Sequence, residues 1–594
     1  MNSFKNKYKN RAGWLCFGAA AALALTACSD FSDYNETPVM AEAAGEQTLW
    51  ENISQNPELS DFASLVKQSG YYGRLDSARS MTVWAPKNGT FNLADFQSLS
   101  KEDLLKQFVK AHMADYTHAA SGKVEERVHM LNDKSFDFVG DGSYTFGGVN
   151  ISKANVPSNN GLLHIIDGYA PYYPSLYEYI KMASGIDSLR NHFMRYELTT
   201  LDLEKSVKGS MVDGVQTYID SVFVTSNSMI RQLNASLTNE DSTYTFVMPT
   251  NKAFMDMYNK VKPYYNILAT TTVQDVENYT SATDNKTKTV TVNASYLTDS
   301  LVRRHIVNNL VFSNKDAYNK WVVNEGEFTD TLRSTTRHKF SNPREILEAY
   351  QVGEPVEMSN GYARIVDSLA FYPWETYAPE LEFTPLRNLG ALFPAAALSS
   401  SYIITSSDGQ PLTGLFGPET TLTEYRYAWI TPGGDRAKPD FFVEMPGVMS
   451  TTYNFYVVFM PTAKFATDTR PNWLNFQLLY CGKDGKAATY NFNKAYADSL
   501  LTGGTLPADV TAVNANTAFI NDPEKTDTVF IGRFTFPVNY SALGNGYEYA
   551  PSLRVTSPIS VLNNTQLATY TRDVRIAAIL LRPVELDEFE AKNK

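Results

Sequence analysis

The chain has 594 residues, of which 20% are charged and 13% aromatic, and a formal net charge of -12. An acidic surface of that size is a poor partner for nucleic acid or for an anionic membrane. With Cys16 and Cys28 near the start and only Cys481 beyond them, no disulfide framework is available, so stability must come from core burial; the length suffices for about three ordinary domains.

In chain order, Lys5, Lys7, Lys9 and Arg11 precede an apolar run from Ala12 to Leu25 that ends in Leu25-Thr-Ala-Cys28. A basic start, a short apolar stretch and small residues before a cysteine form a secretory signal, and the run is short for a membrane span. Residues 1–27 are therefore expected to be a signal peptide, and 28–44, which include the acidic stretch Ser29 to Glu36, a tether. Removal of the signal peptide takes four cationic residues and leaves a net charge of about -16.

Two later stretches repeat each other, Met81-Thr-Val-Trp-Ala-Pro-Lys-Asn-Gly-Thr-Phe91 and Tyr244-Thr-Phe-Val-Met-Pro-Thr-Asn-Lys-Ala-Phe254. Each predicts a strand that stops at Pro86 or Pro249, a turn with Asn88 or Asn251, and the start of a helix whose Phe91 or Phe254 packs inward. A helix over 100–112 follows the first, with Ser100 and Asp103 at capping-box spacing and Leu104, Phe108 and His112 on one face. Leu297, Leu301 and His305 step by four in the second copy. Both copies close on an Asn-Gly turn into a strand, Asn160-Gly-Leu-Leu-His-Ile-Ile-Asp167 and Asn360-Gly-Tyr-Ala-Arg-Ile-Val-Asp367, with His164 in the first. The second copy is longer, with a polar stretch at 270–291 expected as a loop or hairpin and an addition at about 181–225.

From about residue 385 the pattern changes to strand-length runs at 452–460, 473–480, 528–536 and 574–581, separated by Gly, Pro, Asn and Asp clusters and almost no amphipathic helix. This predicts an antiparallel β-sandwich, jelly-roll-like in outline. Tyr425, Tyr427 and Trp429 alternate along one strand and share a face, which either stacks on sugar rings or packs into the sandwich. Tyr372, Trp374 and Tyr377 lie in a Pro-containing linker, where they either pack between domains or meet a ligand.

The order of the two repeats resembles the fasciclin-like domain, which carries a strand motif of the type Thr-Val-Phe-Ala-Pro-Thr-Asn-x-Ala-Phe, a helix with a His, and a closing Asn-Gly-x-x-His-x-Ile-Asp strand. The resemblance covers roughly 45–370 and departs from the pattern at Arg364, where the usual His is missing. It implies a fasciclin-like domain at 45–170 and a second with insertions at 171–384; with the sandwich read from the strand runs at 385–594, the chain is expected to be α+β. His112 and His305 sit where the family's helix often carries an adhesion-associated Tyr-His pair, but Ala111 and Arg304 precede them, so that pair is broken twice. His112, His164, His305, Asp167 and Asp367 are then fold residues.

The Leu-x-Ala-Cys ending resembles a bacterial lipobox with Cys28 as the acylated residue, and the acidic tether resembles the surface-export signal of Bacteroidota-type lipoproteins. No His-Glu-x-x-His, Gly-x-Ser-x-Gly or phosphate-binding loop is present, and Cys481 lies in an apolar strand, so the expectation is a protein without catalytic residues, metal or cofactor. Lipoproteins of this layout look like accessory subunits of uptake systems. The resemblance thus implies a lipid-anchored outer-membrane protein facing the exterior, beside a TonB-dependent importer and its lid lipoprotein, holding a glycan or peptide; the alternative is an adhesin for host matrix or neighbouring cells. The Asp-Ser-Leu and Asp-Ser-Val triplets at Asp187, Asp220, Asp299 and Asp367 resemble bacterial O-glycosylation sites.

Overall fold

The computed structural model describes residues 45–593 apart from 78–79, 205, 213, 221–222, 269, 275–288, 323–329, 393–395, 406–423, 433, 461–467, 503–517 and 542–549. The leader, Cys28 and the tether lie outside the described residues. The chain divides between Ser175 and Leu176 into two compact units.

In the first unit, strand Met81–Pro86 runs parallel to Gly161–Ile166 and antiparallel to Met113–Asp115, inside a seven-stranded sheet completed by Val149–Ser158, Ser143–Phe146, Ser135–Asp141 and Lys123–His129. All six residues of Met81–Pro86 are buried, as expected of a strand covered on both faces. One face carries Val83, Ala85, Leu163 and Ile165 against the helices of Phe62, Leu65 and Phe108. The other carries Trp84, stacked on Phe146 at 4.4 Å and on His164 at 5.5 Å.

The second unit repeats the central pairing. Strand Tyr244–Pro249 runs parallel to Gly361–Val366, with Tyr244 opposite Gly361 as Met81 is opposite Gly161. Val311–Ser313 and Val356–Met358 flank that pair. Gly161 and Gly361 are at φ 153° and 135°. A Cβ there would lie 1.9 Å from the Met81 carbonyl oxygen and 1.8 Å from that of Tyr244, so no larger residue fits this close approach.

The repeated asparagines act as fasteners. Asn88 Oδ1 accepts from the Asp61 N–H at 3.0 Å and Asn251 Oδ1 from the Ser188 N–H at 2.7 Å, each within the first turn of a helix, Ser60–Ser69 or Asp187–Met194. Asn160 and Asn360 are buried and make equivalent bonds: each Oδ1 accepts at 2.8 Å, from Leu49 or Leu176, and each Nδ2 donates to two carbonyls. Every one of these bonds satisfies a main-chain group that no helix or sheet ladder reaches.

Three expectations need correction. The helix after the first motif is Leu93–Gln97, capped by Asn92, so Phe91 precedes it and packs on Phe96 and Phe108 from the loop. The span 100–112 is α-helical only over Lys101–Leu104, then π over Leu105–Val109 and 3₁₀ over Lys110–His112. In helix Ala294–Val307 the buried side chains are Val302, Ile306 and Val307, one position on from Leu301 and His305, which lie at the edge of the core. The polar insertion is a hairpin, Thr270–Gln274 with Thr289–Asn293.

The second unit also contains two antiparallel sheets. One is ordered Ala396–Thr405, Glu424–Pro432, Val574–Pro583, Thr452–Phe459, Asp527–Thr535; the other Leu389–Leu392, Asp440–Glu444, Ser552–Thr556, Trp473–Cys481, Ala487–Asn491. Phe455, Val457 and Ile576 of the first share one core with Phe441, Phe476, Leu478 and Val555 of the second, a sandwich-like packing. Leu381–Phe383 pairs with Val574–Pro583, so the first sheet gathers a strand from before residue 385. A closing helix, Val584–Asn593, was not foreseen; Arg582 at its start pairs with Glu380, Asp587 and Glu590.

Candidate functional site

The histidines expected as fold residues are embedded in structure. His112 Nδ1 lies 2.7 Å from the Phe108 carbonyl and its Nε2 accepts from the Ala170 N–H at 3.0 Å. With Nδ1 beside a carbonyl and Nε2 beside an N–H, the ring is the neutral Nδ1–H tautomer, and burial pushes its pKa down to about 4. His164 Nε2 lies 2.9 Å from the His118 carbonyl, and burial likewise takes it to about 4. His305 stands near Tyr265, His338 and Tyr377. Asp167 is held below the usual carboxylate range by hydrogen bonds from Asn150 and Lys87, and Asp367 is exposed at the same turn of the second repeat.

The aromatic candidates are placed less favourably for a ligand. Tyr427 is 3% exposed and packs with Val458, Met460, Ala577, Ala578 and Leu580 on the outer side of the first sheet. Trp429 has the Arg575 guanidinium 4.5 Å from its ring centre, so that face is already covered. The side chain of Tyr425 lies outside the described residues. Tyr377 is 1% exposed, 4.8 Å from Tyr264. Tyr372 and Trp374 stack on one another at 4.8 Å and both meet Phe589 of the closing helix at 5.2 and 5.0 Å. Tyr427 and Tyr377 are buried and cannot stack on a sugar, whereas Trp429, Tyr372 and Trp374 are partly exposed but already carry Arg575 or Phe589 against their rings. Cys481 is fully buried, as an inert core thiol would be.

A different surface has the chemistry those residues lack. Alternation along Trp473–Cys481 sends Leu474, Phe476 and Leu478 into the core and leaves Trp473, Asn475 and Gln477 half-exposed on the outer side of the second sheet. Neighbouring strands extend that face in register: Gln477 is opposite Arg554, Arg554 opposite Phe442, and Gln477 opposite Asn491 on its other side. Four strands at the usual spacing make this row about 14 Å across. Arg554 is held by Asp440 through two bonds of 2.8 and 2.7 Å, its guanidinium 5.7 Å from the centre of the Phe442 ring. Gln477 Nε2 donates to Asn491 Oδ1 at 2.8 Å, and Trp473 lies 5.2 Å from Tyr570. The period-two pattern could have revealed Trp473, Asn475 and Gln477; Asp440, Arg554 and Phe442 come from strands remote in sequence and carry no local signal.

Such a face offers planar apolar rings beside fixed amide and guanidinium groups, the combination that hydrogen-bonds hydroxyls while covering the apolar side of a sugar ring. Among the described residues no group of His, Cys, Asp and Glu could hold a metal ion, and no helix is long and apolar enough to cross a membrane.

Comparison with known proteins gives a family match over part of the chain: residues 57–169 match the model of the fasciclin domain. No curated protein matches. Among solved structures, the chain is similar to a FAS1 domain pair from the insect cell adhesion molecule fasciclin I, at 14% identity over 55% of this chain and 99% of that one, with a TM-score of 0.19. It is also similar to the CBM22-1 xylan-binding domain of Paenibacillus barcinonensis Xyn10C, at 8% identity over 34% of this chain and 93% of that one, TM-score 0.18. A GH26-CBM35 β-(1,4)-mannanase of Podospora anserina matches at 10% identity over 34% and 27%, TM-score 0.15. The family match is thus confined to residues 57–169, about a fifth of the chain, and is to the fasciclin domain.

Proposed function

We propose that this protein is a non-catalytic surface lipoprotein, held in the outer membrane by acyl chains on Cys28, that captures a glycan as an accessory subunit beside a TonB-dependent importer and its lid lipoprotein. In this reading 171–384 is a second fasciclin-like domain, supported by the shared strand register and the equivalent bonds of Asn160 and Asn360. The fasciclin-like pair acts as spacer or docking module, and 385–594 is the ligand-bearing sandwich.

The observation that carries this reading is the outer face of the second sheet, where Gln477, Arg554 and Phe442 stand side by side half-exposed, with Trp473 on the same face four residues, about 13 Å, along the strand. Groups of this type hold a neutral glycan weakly, and attachment beside an importer adds affinity through effective concentration. The test is purification of the tagged protein from its native membrane in detergent, with mass spectrometry of what accompanies it. Near-equal recovery of an importer and its lid supports the uptake role; recovery of this protein alone, together with binding to host matrix, would replace it with the adhesin. Titration with neutral oligosaccharides checks the face, and Trp473→Ala with Gln477→Ala should abolish saturable binding.

A further inference from the structure

A separate cleft of about 700 Å³ opens between the helical side of the second repeat and one end of the sandwich, within the size range of small-ligand sites. Its walls are tied together. The Asn266 N–H donates to Ser450 Oγ at 2.9 Å, its Nδ2 donates to the Pro537 carbonyl at 2.6 Å, and the Asn539 N–H donates to the Asn266 carbonyl at 2.8 Å. Tyr264 adds a bond from its hydroxyl to Glu585 at 3.2 Å and accepts at its carbonyl from Asn539 Nδ2 at 2.7 Å. A cleft bounded this way is preformed and needs little ordering when a ligand enters.

Its charge runs against that of the chain. The described lining includes Lys262 from the second repeat and Lys483 from the turn between Trp473–Cys481 and Ala487–Asn491, and no Asp or Glu. Both lysines are exposed, and neither is ion-paired with a described carboxylate; the neighbouring Asp484 is turned to the Lys486 N–H at 3.1 Å. Ala294 and Ser295, the first residues of helix Ala294–Val307, also line the cleft, which brings the positive end of a 14-residue helix dipole to the same space. The Asn259 amide and the Ser295 hydroxyl add polar groups suited to hydroxyls.

We propose that this cleft binds an acidic sugar, with the carboxylate between Lys262 and Lys483 and the hydroxylated ring against Asn259 and Ser295. This assignment is independent of the sheet face, and loss of either site leaves the other intact.

The test is calorimetric titration of the full chain with glucuronate, glucose and inorganic phosphate. Glucuronate should saturate one site that glucose does not fill, weaken with added salt, and lose roughly tenfold or more in affinity when both Lys262→Gln and Lys483→Gln are present. Lys486→Gln, the same charge change on the same turn but outside the cleft, should leave binding unaltered. Equal binding of glucose and glucuronate, an unchanged affinity in the double variant, an equal loss in Lys486→Gln, or phosphate binding as tightly as glucuronate would each overturn the assignment.

Discussion

Replacing Asn360 with Ala removes an amide with no exposed surface that accepts from the Leu176 N–H at 2.8 Å and donates to the carbonyls of Leu237 at 2.8 Å and Asn239 at 3.3 Å. The variant leaves the buried Leu176 N–H without a partner and reduces the Leu237 carbonyl to the longer bond from the Tyr177 N–H at 3.3 Å, and an orphaned or weakened buried group costs about 1–3 kcal/mol. Counting the two short bonds, Asn360→Ala should destabilise the second unit by about 3 kcal/mol. The equivalent change, Asn160→Ala, breaks bonds to Leu49, Leu75 and Ser77 at 2.8, 2.8 and 2.7 Å and should cost the first unit a similar amount. Asn→Asp at either position keeps the acceptor but sets a carboxylate oxygen against two carbonyls, so it should be at least as damaging. Hydrogen exchange by mass spectrometry along a urea titration reads the two units separately. A loss below about 1 kcal/mol at both positions, or a loss from Asn160→Ala confined to peptides of the second unit, would refute the claim that these asparagines fasten their own repeats.

Other outcomes follow from burial and charge. His112, His164, His192 and His305 are all held down to about 4 by burial, so the unfolded chain takes up their protons first as pH falls. Their contribution is complete above about pH 6.5 and is lost between there and about pH 4, at about 1.4 kcal/mol per histidine per pH unit. Urea midpoints at pH 7, 6 and 5 should therefore fall steeply, and a flat profile would contradict the buried neutral rings. Arg582→Ala leaves Glu380, Asp587 and Glu590 facing one another at partly exposed positions. It should cost about 2 kcal/mol and speed amide exchange in the closing helix. Cys481 should resist a thiol reagent in the folded chain and react only on unfolding; fast reaction under native conditions would show that its strand opens.

The repeated motifs were legible because the constraints behind them are local. A glycine at which any Cβ would stand within 2 Å of a carbonyl oxygen, and an asparagine that must reach main-chain groups, leave the same short phrase wherever the arrangement recurs. The sandwich strands were legible for a similar reason, since alternation along Trp473–Cys481 and the apolar run Ile576 to Leu581 within Val574–Pro583 follow from one or two covered faces. The helix of 100–112 was readable as a helix, but its change to π and 3₁₀ turns was not, because that change brings Phe108 and His112 to partners as distant as Ala170.

Residue types and periodicity thus made most strands, the recurring short phrases and the fasciclin-like motif legible, each of which depends on neighbours a few positions apart. Which aromatic rings meet solvent was decided only by tertiary packing. Tyr427 and Trp473 both belong to alternating aromatic strands, yet one lies under Met460 and Leu580 while the other stands half-exposed beside Tyr570. Alternation assigns a side chain to a face, but the neighbours that close around it come from strands tens to more than a hundred residues away, as Met460 and Leu580 do for Tyr427, and no local pattern records them.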